Sequence, residues 1–288
     1  MPAKGPGVGV DLHLHTLASD GRLTAAELVR LAHARGVRRL AITDHDTTDA
    51  VAAAAAEGLR LGVDVIPGIE LGTDIPGSEV HMLGYFLRYQ DDAFQAVLAG
   101  FRDGRIGRAR GMVAHLNGLG LQISWERVRE IAAEASVGRP HVAQALLEAG
   151  YVQSMPEAFE KYIGRNGPAY VERVKFTPIQ AIELIHSVSG LAVVAHPVLE
   201  DGELDVTPLL PELAAAGLDG LECYYQGYDP ALVQSLVGLA RQHGLVPTGG
   251  SDYHGFPLSG QTEVVNFPGS VDVPPTVVDE LEGRLARR

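Results

Sequence analysis

The chain has 288 residues, is 46% hydrophobic and carries a formal charge of −13, enough apolar material for a barrel-sized core and too acidic to coat nucleic acid through bulk charge. Its single cysteine, Cys223, excludes a disulfide framework or a thiolate metal cluster and points to a reducing, cytoplasmic setting. No stretch approaches the roughly 18 apolar residues of a membrane helix, and residues 1–10 lack a signal-peptide core, so neither membrane insertion nor export is expected.

In chain order, Val8, Val10, Leu12 and Leu14 alternate with Asp11, His13 and His15, the period-2 pattern of a first strand. His13 and His15 project from one face; as an isolated pair they fit hydrogen-bonded core histidines as well as metal ligands. Thr24 and Glu27 form a capping box for the first helix, which ends near Gly36. Strand two, Arg38–Thr43, delivers Asp44, His45 and Asp46, and Thr47 is expected to cap an alanine-rich helix to about Arg60. Strand three, Val63–Ile69, ends on Glu70; strand four, Val80–Phe86, carries His81 near its start.

This rhythm stops between about Asp91 and Lys175, where the pattern turns helical. Residues 101–175 carry 11 Lys and Arg against 8 Asp and Glu, a basic segment in an acidic chain. The rhythm resumes with Thr177, Pro178 and Gln180 opening a helix. Strand five, Leu191–Ala195, ends on His196, and Thr207-Pro208 begins another helix. Strand six is Gly220–Tyr224; Asp229-Pro230 opens a helix to His243; strand seven, Leu245–Gly249, ends on Ser251, Asp252, Tyr253 and His254. A closing helix follows Pro275. Seven strands mostly separated by helices predict a largely parallel α/β barrel, with an open doubly wound sheet as the alternative.

The polar residues at the strand tips are His13, His15, Asp20, His45, Glu70, His81, His196, Asp252 and His254. His33, His115, His186 and His243 fall on predicted helices instead. Six histidines and three carboxylates exceed what one ion needs and suit two or three, with Glu70 placed to bridge. A sulfur-free imidazole and carboxylate set suits Mn²⁺, Fe²⁺ or Zn²⁺.

The motifs HLHT…SDG, ITDHDT, PGIE, EVH, AHP and GGSDYHG resemble those of the PHP (polymerase and histidinol phosphatase) superfamily, in order and with no ligand missing. The resemblance implies a distorted (β/α)7 barrel over residues 1–90 and 176–288 with a mostly helical insert at 91–175. It also implies that all nine residues bind metal, with Mn²⁺ first in line. The long first motif and VGRPHVAQAL in the insert are similar to the bacterial branch that removes the 3′-phosphate of nucleoside 3′,5′-bisphosphates and trims short RNA 5′ to 3′. Its partners would be nucleotide bisphosphates and single-stranded RNA 5′ ends, with no membrane and no obligate protein partner.

Such chemistry is expected to use water activated by the ions, Asp252 to orient it, and His196 or His254, if not fully committed to metal, to protonate the leaving oxygen. A bisphosphate needs a second anion site. Arg139, fixed by Pro140 at a helix entrance, is the first candidate, followed by His141 and Lys175. The rivals are a histidinol-phosphatase-like enzyme with another pocket and a non-catalytic metal-binding module.

Overall fold

Seven strands form one sheet whose spatial order is the chain order: β1 (Gly9–Asp11), β2 (Val37–Ile42), β3 (Asp64–Ile75), β4 (Ser78–Tyr85), β5 (Leu191–Val194), β6 (Gly220–Tyr225) and β7 (Val246–Gly250). The computed structural model describes residues 9–75, 78–133, 137–172, 176–198, 206–256 and 266–288. The end of β7 returns to β1, where Leu12 N–H donates to Gly249 O at 3.2 Å and His15 N–H to Tyr253 O at 3.1 Å, so the sheet is nearly closed into a barrel. The open doubly wound alternative falls with these bonds.

The sheet is mixed, which corrects the largely parallel expectation. β1–β3 and β5–β7 run parallel, but β4 is antiparallel to both neighbours. The connection dictates this: two residues separate Ile75 from Ser78, whereas a parallel crossover needs about a dozen. β3 also runs past Glu70, its expected end, to pair with β4 from Gly68 to Ile75.

Alternate strand residues point inward and fill the barrel: Val10, Leu12, Ala41, Ile66, Leu83, Tyr85, Leu191, Val193 and Val246 are all buried. The carboxy-terminal helix, Thr276–Leu285, places Val277, Val278 and Leu281 in the same cluster, beside the starts of β5 and β7 and the end of the reversed β4. It plugs the end of the barrel opposite the histidines.

Helices cover the outside. α1 (Ala25–Ala34) opens with the expected Thr24–Glu27 capping box and packs against β2, and α2 (Val51–Leu61) packs beside it against β3. Thr47 does not cap α2; Asp46, at φ 53°, turns the chain first, and the helix starts four residues after Thr47. α3 (Asp92–Gly118) begins in the barrel's outer layer through Phe94 and Leu98. It ends in a different buried cluster with Met112 and Leu116, made only of residues 109–169. That cluster includes α4 (Trp125–Ala132) and α5 (Arg139–Glu148). Among the described residues no helix is long and apolar enough to cross a membrane.

Candidate active site

The rim where the parallel strands end gathers the polar residues. His13 and His15 leave β1 immediately beside β7, an approach that only glycine permits: a Cβ on Gly250 would lie 2.4 Å from that of His13. The reversal of β4 explains His81, whose early position in its strand argues against the rim if all strands are parallel. Because β4 runs the other way, its start lies at the rim, with His81 paired opposite Gly72. Asp46, His196 and Asp252 adopt left-handed backbone at φ 53°, 22° and 50°, strain that recurs where side chains are turned into a site.

All nine tip residues come together. The Glu70 carboxylate lies at the centre, 2.7 Å from His81 Nδ1 and 3.3 Å from His196 Nε2 through Oε1. Through Oε2 it is 3.2 Å from His13 Nε2, 3.1 Å from His15 Nε2 and 3.2 Å from His45 Nδ1. Asp252 Oδ1 is 3.3 Å from His13 Nε2 and 3.1 Å from His15 Nε2. Asp20 lies 3.2 Å from His254 Nε2 and 3.6 Å from His45 Nε2. Three overlapping donor groups result: His13, His15, Glu70 and Asp252; His15, Asp20, His45 and His254; and His45, Glu70 and His81.

The donors fit divalent cations. Buried atoms of His15, His45, His81, His196, Asp20 and Asp252 lack hydrogen-bond partners among the described residues, an uncommon state for buried polar groups unless another ligand completes them. Burial opposes ionisation of Glu70, Asp20 and Asp252, yet the adjacent histidines outweigh it and hold all three well below the usual carboxylate range. Burial also opposes charge on the histidines. It wins at His45, pushed down to about 3, while the carboxylates win at His81, raised to about 9, and at His254, raised to about 10. The cluster thus balances its own charge with protons that an entering cation can displace.

Four further residues outside the nine support the cluster. Glu222, buried on β6, accepts from His13 Nδ1 at 3.1 Å and from His196 N–H at 2.8 Å, leaving His13 Nε2 to face the cluster. Its one signal is an acidic residue at an inward position of an apolar strand. Tyr225 donates its hydroxyl to Asp252 Oδ2 at 2.8 Å. Asp44 accepts from Thr16 and Ser19 at 2.6–2.7 Å, and Asp11 ties β1 to Ser251. Burial pushes Asp11 up to about 6 against four such hydrogen bonds.

Above the cluster lies a cleft floored by Asp20, His45 and His81 and walled by Arg105, Arg108 and Arg139. Arg139, the expected anion ligand, contacts Glu79 Oε2 at 3.0 Å and lies over the Phe159 ring. His141 is turned to a structural task, its Nδ1 accepting from Gly138 N–H at 2.9 Å at the start of α5. Lys175 lies outside the described residues. Arg105 and Arg108 escaped the sequence reading, although their i, i+3 spacing on one helix is a legible signal. Arg105 donates from Nε to the buried Asp46 at 2.6 Å, tying the helix to the barrel motif.

A nearly closed barrel that presents a histidine and carboxylate cluster beneath arginines has the form of a metal-dependent phosphoesterase. Comparison with known proteins agrees: the PHP domain matches residues 11–102, and the chain belongs to the PHP family. It is 33% identical over 283 residues to the 3′,5′-nucleoside bisphosphate phosphatase of Chromobacterium violaceum, covering 96% of this chain and 98% of that one. It is 37% identical to the 5′-3′ exoribonuclease Rnm of Salmonella typhimurium, covering 85% of this chain and 84% of that one. A phosphoribosyl 1,2-cyclic phosphate 1,2-diphosphodiesterase of Eggerthella lenta is 34% identical, over 85% of this chain and 94% of that one. Among solved structures, a Bifidobacterium adolescentis protein assigned as a metal-dependent phosphoesterase superposes with TM-score 0.85 at 29% identity, covering 98% of both chains. An amidohydrolase of C. violaceum with bound sulfate and no metal gives TM-score 0.84 at 31% identity, covering 96% of both.

Proposed function

We propose that this enzyme removes the 3′-phosphate of nucleoside 3′,5′-bisphosphates, giving nucleoside 5′-monophosphate and phosphate, and trims short 5′-phosphorylated RNA 5′ to 3′ at the equivalent bond. The observation that carries the reading is the arginine wall beside the cluster. A bisphosphate has two anions a few ångströms apart, and the site offers two anion-binding regions, one at the rim donors and one at Arg105, Arg108 and Arg139. The relatives named as a bisphosphate phosphatase and an exoribonuclease support it. We read residues 91–175 as a cap that contributes these arginines to the barrel of 1–90 and 176–288. A cytoplasmic location suits the single, buried Cys223.

The nine rim residues would hold two or three divalent ions, Mn²⁺ by preference, with Fe²⁺ and Zn²⁺ as alternatives. Bound there, divalent ions neutralise phosphoryl oxygens and acidify water. The chain's own groups do the rest. Asp252, held by Tyr225, orients the attacking water; Glu222 fixes His13; whichever of His196 and His254 is not committed to metal protonates the departing 3′-oxygen. Arg139 grips the 5′-phosphate as a ruler without reading the base.

The test is a phosphate-release and product screen of Mn²⁺-loaded protein against adenosine 3′,5′-bisphosphate, histidinol phosphate, phosphoribosyl 1,2-cyclic phosphate and 5′-phosphorylated RNA. The bisphosphate should be the best small substrate, and chelation should abolish turnover until metal is returned. Preference for histidinol phosphate sinks the reading. Preference for the cyclic ester, which the E. lenta relative makes a specific alternative, reassigns the arginines to a sugar 5-phosphate.

A further inference from the structure

We propose that a second cavity, joined to the arginine cleft at Asp20 and Pro140, holds the nucleoside on the far side of the scissile phosphate, the second nucleotide of a 5′-phosphorylated single-stranded RNA. This rests on the reading above and extends it from the bond cleaved to what lies beyond that bond.

The cavity measures about 530 Å³, within the roughly 300–1,000 Å³ of sites that hold small ligands. It shares only Asp20 and Pro140 with the arginine cleft. A substrate whose 5′-phosphate lies on Arg139 and whose scissile phosphate lies at the cluster can therefore continue past Asp20 into this cavity. A phosphomonoester leaves that space empty. A diester fills it.

The lining suits a nucleoside. Leu17, Ile131 and Met155 make an apolar wall, with Leu17 48% exposed and open to a ligand. At the mouth, the Arg22 guanidinium lies 4.3 Å from the centre of the Phe256 ring, a flat cationic face of the kind on which unpaired bases stack. Exposed Arg22 makes no ion pair among the described residues, whereas Arg127, also on the lining, is bound to Glu130 and Glu148. Arg22 is the cation left for a base or a backbone phosphate, and the stack reads no sequence.

The step balances as a hydrolysis. Water oxygen bonds to phosphorus and the P–O3′ bond of the first nucleotide breaks. One water proton ends on that 3′-oxygen and the other goes to solvent. The second nucleotide keeps the phosphate on its 5′-oxygen and is ready for another round.

The experiment compares kcat/KM of Mn²⁺-loaded wild type, Arg22→Gln, Phe256→Ala and Leu17→Trp on adenosine 3′,5′-bisphosphate and on 5′-phosphorylated diadenylate. The expected result is at least a tenfold loss on the dinucleotide with bisphosphate turnover within twofold of wild type. Because Arg22 and Leu17 are exposed, these two variants keep the test valid if Phe256→Ala fails to fold. Equal losses on both substrates, or no loss on the dinucleotide in any folded variant, overturn the proposal. Wild type that hydrolyses the bisphosphate but not the dinucleotide overturns the second site together with the RNA-trimming half of the proposed function, and leaves the bisphosphate reading standing. Wild type that hydrolyses neither overturns the underlying function as well.

Discussion

Glu222 shows how one buried carboxylate sets the direction of two histidines. It accepts from the His13 ring on one side and from the His196 backbone on the other, so each presents its remaining face to the cluster. Glu222→Gln keeps the shape and removes the charge; metal affinity, read by titration calorimetry, should fall roughly 10–100-fold, with turnover recovering at high metal concentration. Unchanged affinity would leave Glu222 a packing residue. If Arg139 holds the 5′-phosphate as proposed, Arg139→Ala removes charge-assisted hydrogen bonds worth roughly 1.5–3 kcal/mol, which predicts a ~10–100-fold drop in kcat/KM. The drop should be confined to 5′-phosphorylated substrates, and an equal effect on 5′-hydroxyl esters would remove Arg139 from the ruler. Asp252→Asn should still bind substrate while turnover falls about 100-fold or more in single-turnover assays.

Among the elements, the junction of β7 and β1 carries the tightest constraint. Gly250 lies against the His13 backbone, where an added Cβ would meet His13 N at 2.5 Å. Gly250→Ala must push the strands apart, at a cost of roughly 1–3 kcal/mol in urea denaturation, and should also weaken metal binding because His13 moves with the backbone. A stable variant with intact metal affinity would show that the barrel closes elsewhere. The β3–β4 hairpin is the other decisive element. Its reversal brings His81 to the rim and lengthens β3, so that Glu70 lies within the strand among the other rim side chains rather than at a loose tip.

For the whole molecule, Asp219 fastens the carboxy-terminal plug to the barrel. Its carboxylate, at the start of β6, accepts from His186, from Ala192 N–H and from Arg284, and lies 3.3 Å from Arg288. Burial alone would raise its pKa, but these partners outweigh burial and lower it. The stabilisation is therefore complete above the unfolded value of about 4 and is lost as pH falls through the lower folded value. Asp219→Ala should cost roughly 3 kcal/mol near neutrality, and the gap from wild type should narrow in acid denaturation profiles below about pH 4. A gap that does not change with pH would assign the loss to packing.

The sequence by itself determined which polar residues gather at the rim, the strand count and the capping boxes of two helices. His13, His15 and the other tips are marked by residue type against apolar alternation, and Thr24–Glu27 and Thr177–Gln180 are local hydrogen-bonding patterns that need no tertiary partner. The tertiary structure alone decided the direction of β4, the displaced start of α2, the joining of Arg105 and Arg108 with Arg139, and the part played by Glu222. Each depends on contacts between residues far apart in the chain. Periodicity reports which face of an element is buried, and only closure of the barrel reports what that face meets.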